Sequence, residues 1–197
     1  MSATGFTGWA PAAIVCLVLA AVAWGAEVQW RHLSSKTGDL PVPGESTQQT
    51  AAVVGDFAKD GINGFILGFR QKGPALVWYR KTAAGWDRYV IEKEFLTIEA
   101  GGAVCDIDGD GNLDIFCAEM AKWSEGRKDP DNPAAKAYLF YGDGQGNFRK
   151  TEFAGGMGFH EARVADLDGD GKLDILNKPY NWDTPRVDVW LQKPPGK

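Results

Sequence analysis

The chain has 197 residues and a formal charge of −5 at neutral pH; 44% of it is hydrophobic and 24% charged. That length and apolar share suffice for one packed domain and exclude disorder for the bulk of the chain. Lysines and arginines are spread along the chain and form no run longer than an Arg-Lys pair, which gives no basic face for nucleic acid. With 25 glycines and 12% aromatic residues, the composition favours short strands joined by tight turns over long helices.

Residues 1–26 differ from everything that follows. The run AAIVCLVLAAVAW over 12–24 is almost purely apolar, and Ala23, Gly25 and Ala26 offer the small side chains of a signal-peptide cleavage site. No lysine or arginine precedes Ala12, so the alternative is an uncleaved membrane anchor, although the run is shorter than the ~20 residues a spanning helix needs. Either reading exports residues 27–197, to the periplasm, the cell surface or the medium. Cys16 lies inside this segment, and Val15 before it lacks the small side chain that lipidation would want.

Downstream, self-similarity organises the chain. The stretch GAVCDIDGDGNLDIF at 102–116 returns 60 residues later as ARVADLDGDGKLDIL at 162–176, and a decayed copy, VVGDFAKDGINGFIL, begins at Val53. A period of 50 to 60 residues is the size of one blade of a β-propeller. Three repeats follow, at about 49–98, 99–158 and 159–193. In each, an apolar strand enters the acidic loop and another leaves it, as at 65–69 and 173–176. Aromatic-rich runs at 75–80, 137–141 and 186–191 read as third strands, and 86–91 and 148–153 as fourth strands after glycine-bearing turns. The last unit has no fourth strand before the chain ends, while VQWRHLS from Val28 resembles one, so residues 27–35 are a candidate closing strand for that unit.

Cys105 and Cys117 bracket an acidic loop on neighbouring strands, a spacing compatible with a cross-strand disulfide in an oxidising compartment. The competing reading is two small buried residues, since Cys105 aligns with Gly55 and Ala165 in the other repeats.

The pattern Asp-x-Asp-x-Asp-Gly-x-x-Asp, at Asp106–Asp114 and again at Asp166–Asp174, set between strands, resembles the FG-GAP (VCBS) repeats that build integrin-like β-propellers. The resemblance covers residues 49–193 and implies an all-β fold of blade-like, four-stranded antiparallel repeats. Three units are fewer than the four to eight blades of a typical ring, so a partial or small propeller, or a homo-oligomer that completes one, is expected.

Four aspartates within nine residues repel one another unless a cation sits among them. Calcium suits them, because it takes six to eight oxygens in flexible geometry, whereas magnesium demands a near-ideal octahedron and keeps its waters. The candidate ligands are the carboxylates of Asp106, Asp108, Asp110 and Asp114 with the carbonyl of Asn112, and those of Asp166, Asp168, Asp170 and Asp174 with the carbonyl of Lys172. In the decayed copy Ala58 and Gly64 replace two of the aspartates, leaving Asp56 and Asp60, and no strong site is expected there. The EF-hand and dockerin loops begin alike but want a glutamate at the twelfth position, where this chain has Cys117 and Asn177. Pro179 also opposes a helix after the later loop, while the residues 118–122 leave one open after the earlier.

His32 and His160 are the only histidines, and with Glu161 beside His160 they assemble no general base with an orienting partner. The proline-containing insert WSEGRKDPDNP at 123–133, with Tyr180 and Trp182, reads as a surface loop and a candidate aromatic rim. The sequence therefore points to an exported calcium-binding module that recognises a protein or polysaccharide or plays a structural part. The alternative is the propeller portion of a carbohydrate-active lyase or dehydratase without its own catalytic site here.

Overall fold

The computed structural model describes residues 28–120, 135–156, 158–179 and 186–193. The apolar run 12–24, the insert 123–133 and both Tyr180 and Trp182 lie outside them. Among the described residues no helix is long and apolar enough to cross a membrane. The chain divides into two compact units, Met1–His32 and Leu33–Lys197. Of the first, residues 28–32 are described; they are exposed and carry no strand.

The second unit is built from eleven strands among the described residues: β1 (Gln49–Gly55), β2 (Gly64–Phe69), β3 (Leu76–Thr82), β4 (Gly85–Glu92), β5 (Ala103–Cys105), β6 (Asp114–Ala118), β7 (Lys136–Gly142), β8 (Phe148–Gly155), β9 (Glu161–Ala165), β10 (Asp174–Lys178) and β11 (Asp188–Trp190). They form three antiparallel sheets in the orders β1-β2-β3-β4, β5-β6-β7-β8 and β11-β10-β9. The first two are the expected four-stranded meanders. They match in detail: each bulges at the same place in the ladder between its third and fourth strands, at Leu76/Val77 and Ala137/Tyr138. A strand leaves both intact acidic loops, so the exit helix of an EF-hand is replaced by β6 and β10. The third sheet has three strands among the described residues, and β11 is its edge.

Alternation along the strands sets how the sheets stack. Ile115, Cys117, Tyr138 and Phe140 of the second sheet pack against Val53, Ile66 and Trp78 of the first. The intervening residues Phe116, Ala118, Ala137 and Leu139 pack against Ala162 and Ile175 of the third. Because both of its faces are covered, β6 is buried along its whole length and reads as an unbroken apolar run. The free face of the first sheet is covered by the segment leading into it. Leu40 packs on Phe69, Val77 and Tyr79, the Tyr79 hydroxyl donates to the Pro41 carbonyl at 2.8 Å, and Arg88 Nε donates to that of Pro43 at 2.8 Å.

The same alternation decides the cysteine question. Cys117 faces the first sheet and Cys105 the third, so the two thiols lie on opposite faces of one sheet and both are free. Burial pushes the Cys105 thiol up to about 12, helped by Asp114 and Asp106, and drives that of buried Cys117 up as well. Neither supplies a thiolate at neutral pH. A thiol reagent should therefore label Cys105 and Cys117 only after unfolding, and a reductant should leave the melting temperature unchanged. Intact-protein mass spectrometry that finds the chain two hydrogens short would contradict this arrangement.

Candidate metal centre

Each acidic loop is a turn organised by its own carboxylates. In the second repeat the N–H groups of Gly109 and Gly111 donate to the two oxygens of Asp106, both at 2.8 Å, and that of Asp110 donates to Asp108 at 3.2 Å. The third repeat reproduces this: Gly169 and Gly171 donate to Asp166 at 2.7 and 3.0 Å, and Asp170 donates to Asp168 at 3.2 Å. The path requires left-handed backbone at Gly109 and Gly111, with φ of +77° and +85°, and at their counterparts Gly169 and Gly171. These local bonds gather the carboxylates on one side of the turn.

The last aspartate of each loop acts differently. Asp114 is 1% exposed, and its oxygens accept the Ile107 N–H at 3.0 Å and the Gly142 N–H at 2.9 Å. One bond closes the loop on itself and the other ties it to the end of the third strand, β7. Asp174 does the same with Leu167 and Gln192, both at 2.8 Å. Sequence reading assigns these residues as ligands and misses their second role as staples, because nothing local marks Gly142 or Gln192 as partners.

In both loops three carboxylates converge. One oxygen each of Asp106, Asp108 and Asp114 lie within 4.8 Å of one another, and so do those of Asp166, Asp168 and Asp174. Either group could chelate a divalent cation. Asp110 and Asp170 stand outside these triads: Asp110 accepts the backbone and side-chain N–H groups of Asn112 at 2.8 and 2.9 Å, while Asp170 accepts the Lys172 N–H at 2.9 Å and has its ammonium at 3.5 Å. Among the described residues no lysine or arginine lies within ion-pair distance of the six triad carboxylates. Burial pushes the Asp114 carboxyl above its usual range, and repulsion from Asp108 and Asp110 adds to the effect. A divalent cation held among these carboxylates would offset both effects. Asp174 is held below the usual range by the backbone N–H groups of Gln192 and Leu167.

The decayed first loop keeps the turn and replaces the chemistry. Asp56 still accepts from Asp60 and Gly61, at 3.1 and 2.8 Å. Asp60, however, is held by the Arg80 guanidinium through Nη2 at 2.8 Å and Nε at 3.2 Å, which lowers its pKa. Gly64, where the other loops carry the stapling aspartate, faces the Trp78 indole so closely that a Cβ would lie 2.5 Å from Nε1 and from the Tyr79 carbonyl oxygen. An aspartate has no room there. A basic residue and an indole, both from β3, occupy the space that the later repeats give to carboxylates.

At the opposite ends of the sheets a second polar group ties the repeats together. Arg70 pairs with buried Glu99 at 2.5 Å, and His160 Nδ1 lies 3.8 Å from the same carboxylate. Glu119 accepts the N–H groups of Thr97 and Lys136 and the Tyr138 hydroxyl. Glu161 pairs with Lys178 and Arg163 at the surface, and His32 is exposed.

Among curated proteins none matches the chain. The repeat itself is shared: residues 106–176, from the first aspartate of one acidic loop through the strand that leaves the next, match the FG-GAP-like repeat.

Proposed function

We propose that this chain is an exported, non-catalytic repeat module that binds one calcium ion in each of its two acidic loops and uses the stiffened sheet stack to recognise a protein or polysaccharide. The observation that carries this is the recurrence of one arrangement: two aspartate triads of identical spacing, each converging within 4.8 Å, in two repeats of one chain. A surface carboxylate cluster arising by chance has no reason to recur with the same hydrogen bonds. The match to the FG-GAP-like repeat across both loops supports the same reading.

Asp106, Asp108 and Asp114 would hold one ion and Asp166, Asp168 and Asp174 the other. The carbonyls of Asn112 and Lys172, the carboxylates of Asp110 and Asp170, and water would supply the remaining oxygens. Calcium fits this all-oxygen donor set and its backbone contribution better than magnesium does. When bound, the ion neutralises the carboxylates. The chain's own residues do the rest: the staples hold each loop to its third strand, and the glycines let the loop turn. Export follows from the apolar run at 12–24, which reads as a signal segment.

Calorimetry in the ~10⁻⁴ to 10⁻³ M range typical of extracellular calcium modules should give two ions per chain. Asp108→Asn and Asp168→Asn should each remove one, and the double variant both. A stoichiometry of zero for the folded wild type would overturn the reading.

A second measurement separates ligand from staple. Calcium at 100 times its dissociation constant adds about 2.7 kcal/mol per site, and a chelator removes it. Asp108→Ala, at an exposed position, should lower the melting temperature only with calcium present. Asp114→Ala orphans the N–H groups of Ile107 and Gly142 and should destabilise by about 1–3 kcal/mol even with chelator. Equal losses for both variants under both conditions would deny the ion any part.

A further inference from the structure

The two intact loops share their aspartates and differ in charge at one position, the residue after the second glycine: Asn112 in the second repeat and Lys172 in the third. Lys172 turns back on its own loop. Its ammonium lies 3.5 Å from Asp170, and its backbone N–H donates to the same carboxylate at 2.9 Å. Asn112 keeps the backbone bond, to Asp110 at 2.8 Å, and adds a neutral one from Nδ2 at 2.9 Å. An amide N–H steadies a carboxylate without cancelling its charge, whereas an ammonium does both.

A lysine also stands near the second loop, but it comes from the first repeat and is held off the carboxylates. Lys59 takes the place of Gly109 and Gly169 and, alone among the described non-glycine residues, has a positive φ, +51°. Its Nζ donates to Asn112 Oδ1 at 3.3 Å. An ammonium can only donate, so this bond fixes the amide with its oxygen toward Lys59 and Nδ2 toward Asp110. The turn between β7 and β8 closes over the contact: a Cβ on Gly144 would lie 2.5 Å from Asn112 Oδ1 and 2.8 Å from Lys59 Cδ. Toward the third loop the residue equivalent to Lys59 is Gly109, which has no side chain to reach across.

We infer that the two loops are unequal calcium sites and that Lys172 makes them so: the second repeat's loop fills first, and the third fills at higher calcium because Lys172 competes for Asp170. The inference rests on the calcium reading of the loops and sets their order. Lys172 and Asp170 are each about one-third exposed, so water and salt hold the effect to a severalfold one. Lys172 also lines the cleft between the loops with Asp106 and Asp108, but lies outside ion-pair distance of both, so its charge bears mainly on its own site. Two sites of unequal affinity respond over a wider span of calcium concentration than two equal ones.

Calcium titration calorimetry on the full chain at low ionic strength tests this. Asp168→Asn leaves the second repeat's site alone and Asp108→Asn the third's; the third should have the larger dissociation constant, by about three- to tenfold. Added to Asp108→Asn, Lys172→Asn should tighten the third site by a similar factor, while Lys172→Arg, which keeps the charge, should not. Added to Asp168→Asn, Asn112→Lys should weaken the second. The gap between Lys172 and Lys172→Asn should narrow toward about twofold in ~0.5 M salt, where the Debye length falls to ~4 Å; a lysine that merely shaped the turn would give a gap that salt leaves unchanged. Equal dissociation constants at the two sites, or a Lys172→Asn chain that is folded by circular dichroism and binds no more tightly, would overturn the inference and leave two-site binding standing. Absence of calcium from both sites of the folded wild type would instead overturn the reading beneath it, and the inference with it.

Discussion

The structure depends on a buried carboxylate that must satisfy two masters at once. Asp114 and Asp174 each take one backbone N–H from their own loop and one from the end of the third strand. These bonds fix where the acidic turn sits relative to the sheet, and hence where the other carboxylates point. A buried acceptor of this kind stabilises only when ionised and fully partnered. Its negative charge, placed beside two more carboxylates, in turn creates the demand for a cation. Hydrogen bonding that shapes the hairpin and electrostatics that would recruit an ion thus pass through one side chain in each of the two later repeats.

Stacking then makes the repeats interdependent. The second sheet has no solvent face: its odd and even positions serve two different cores, and the loop residue Ile107 joins the one shared with the third sheet. Each sheet supplies a wall for its neighbour, so burial is shared along the stack. The staples and the stack reinforce each other, because a loop held against the end of β7 also holds Ile107 in place.

Much of this was legible from residues alone. The two intact loops, the strands on either side of them and the four-strand order of the first two units follow from local patterns: carboxylate spacing, glycine at turns and β-branched or aromatic runs. The part that was not legible is long-range. Arg80 reaches back twenty positions to hold Asp60, and nothing in its strand singles it out. Gly64 reads as mere decay until Trp78 is seen to occupy the room an aspartate would need. Residues 28–33 have the alternation of a strand and are irregular, for a physical reason: a strand is defined by a hydrogen-bonded neighbour, and sequence pattern supplies only one side of that pair. The disulfide question likewise turned on which face each cysteine occupies, a property of register that spacing in sequence does not reveal.

The three repeats differ in how each meets the same two demands, a counter-charge in the loop and an aromatic filler between sheets. The first is self-contained: Arg80 is a covalently attached counter-ion for Asp60, and Trp78 with Phe57 fills its gap to the next sheet, helped by Phe148 from that sheet's fourth strand. The second keeps the acidic triad and has the full four strands, but presents Leu139 and Ile107 where the first has an indole and a phenyl ring. The third keeps its triad and, among the described residues, lacks the strand whose aromatic residue would complete that gap. Protein side chains meet both demands at the N-terminal end of the stack, whereas toward the C-terminal end the triads have no lysine or arginine within ion-pair distance and the gap is lined by smaller side chains among the described residues. Stability should be graded the same way, since a repeat that carries its own counter-charge and filler opens less readily than one that must recruit them. The strand edge and the cavity lie together at the end of the stack, where no fourth strand stands beside β11 among the described residues.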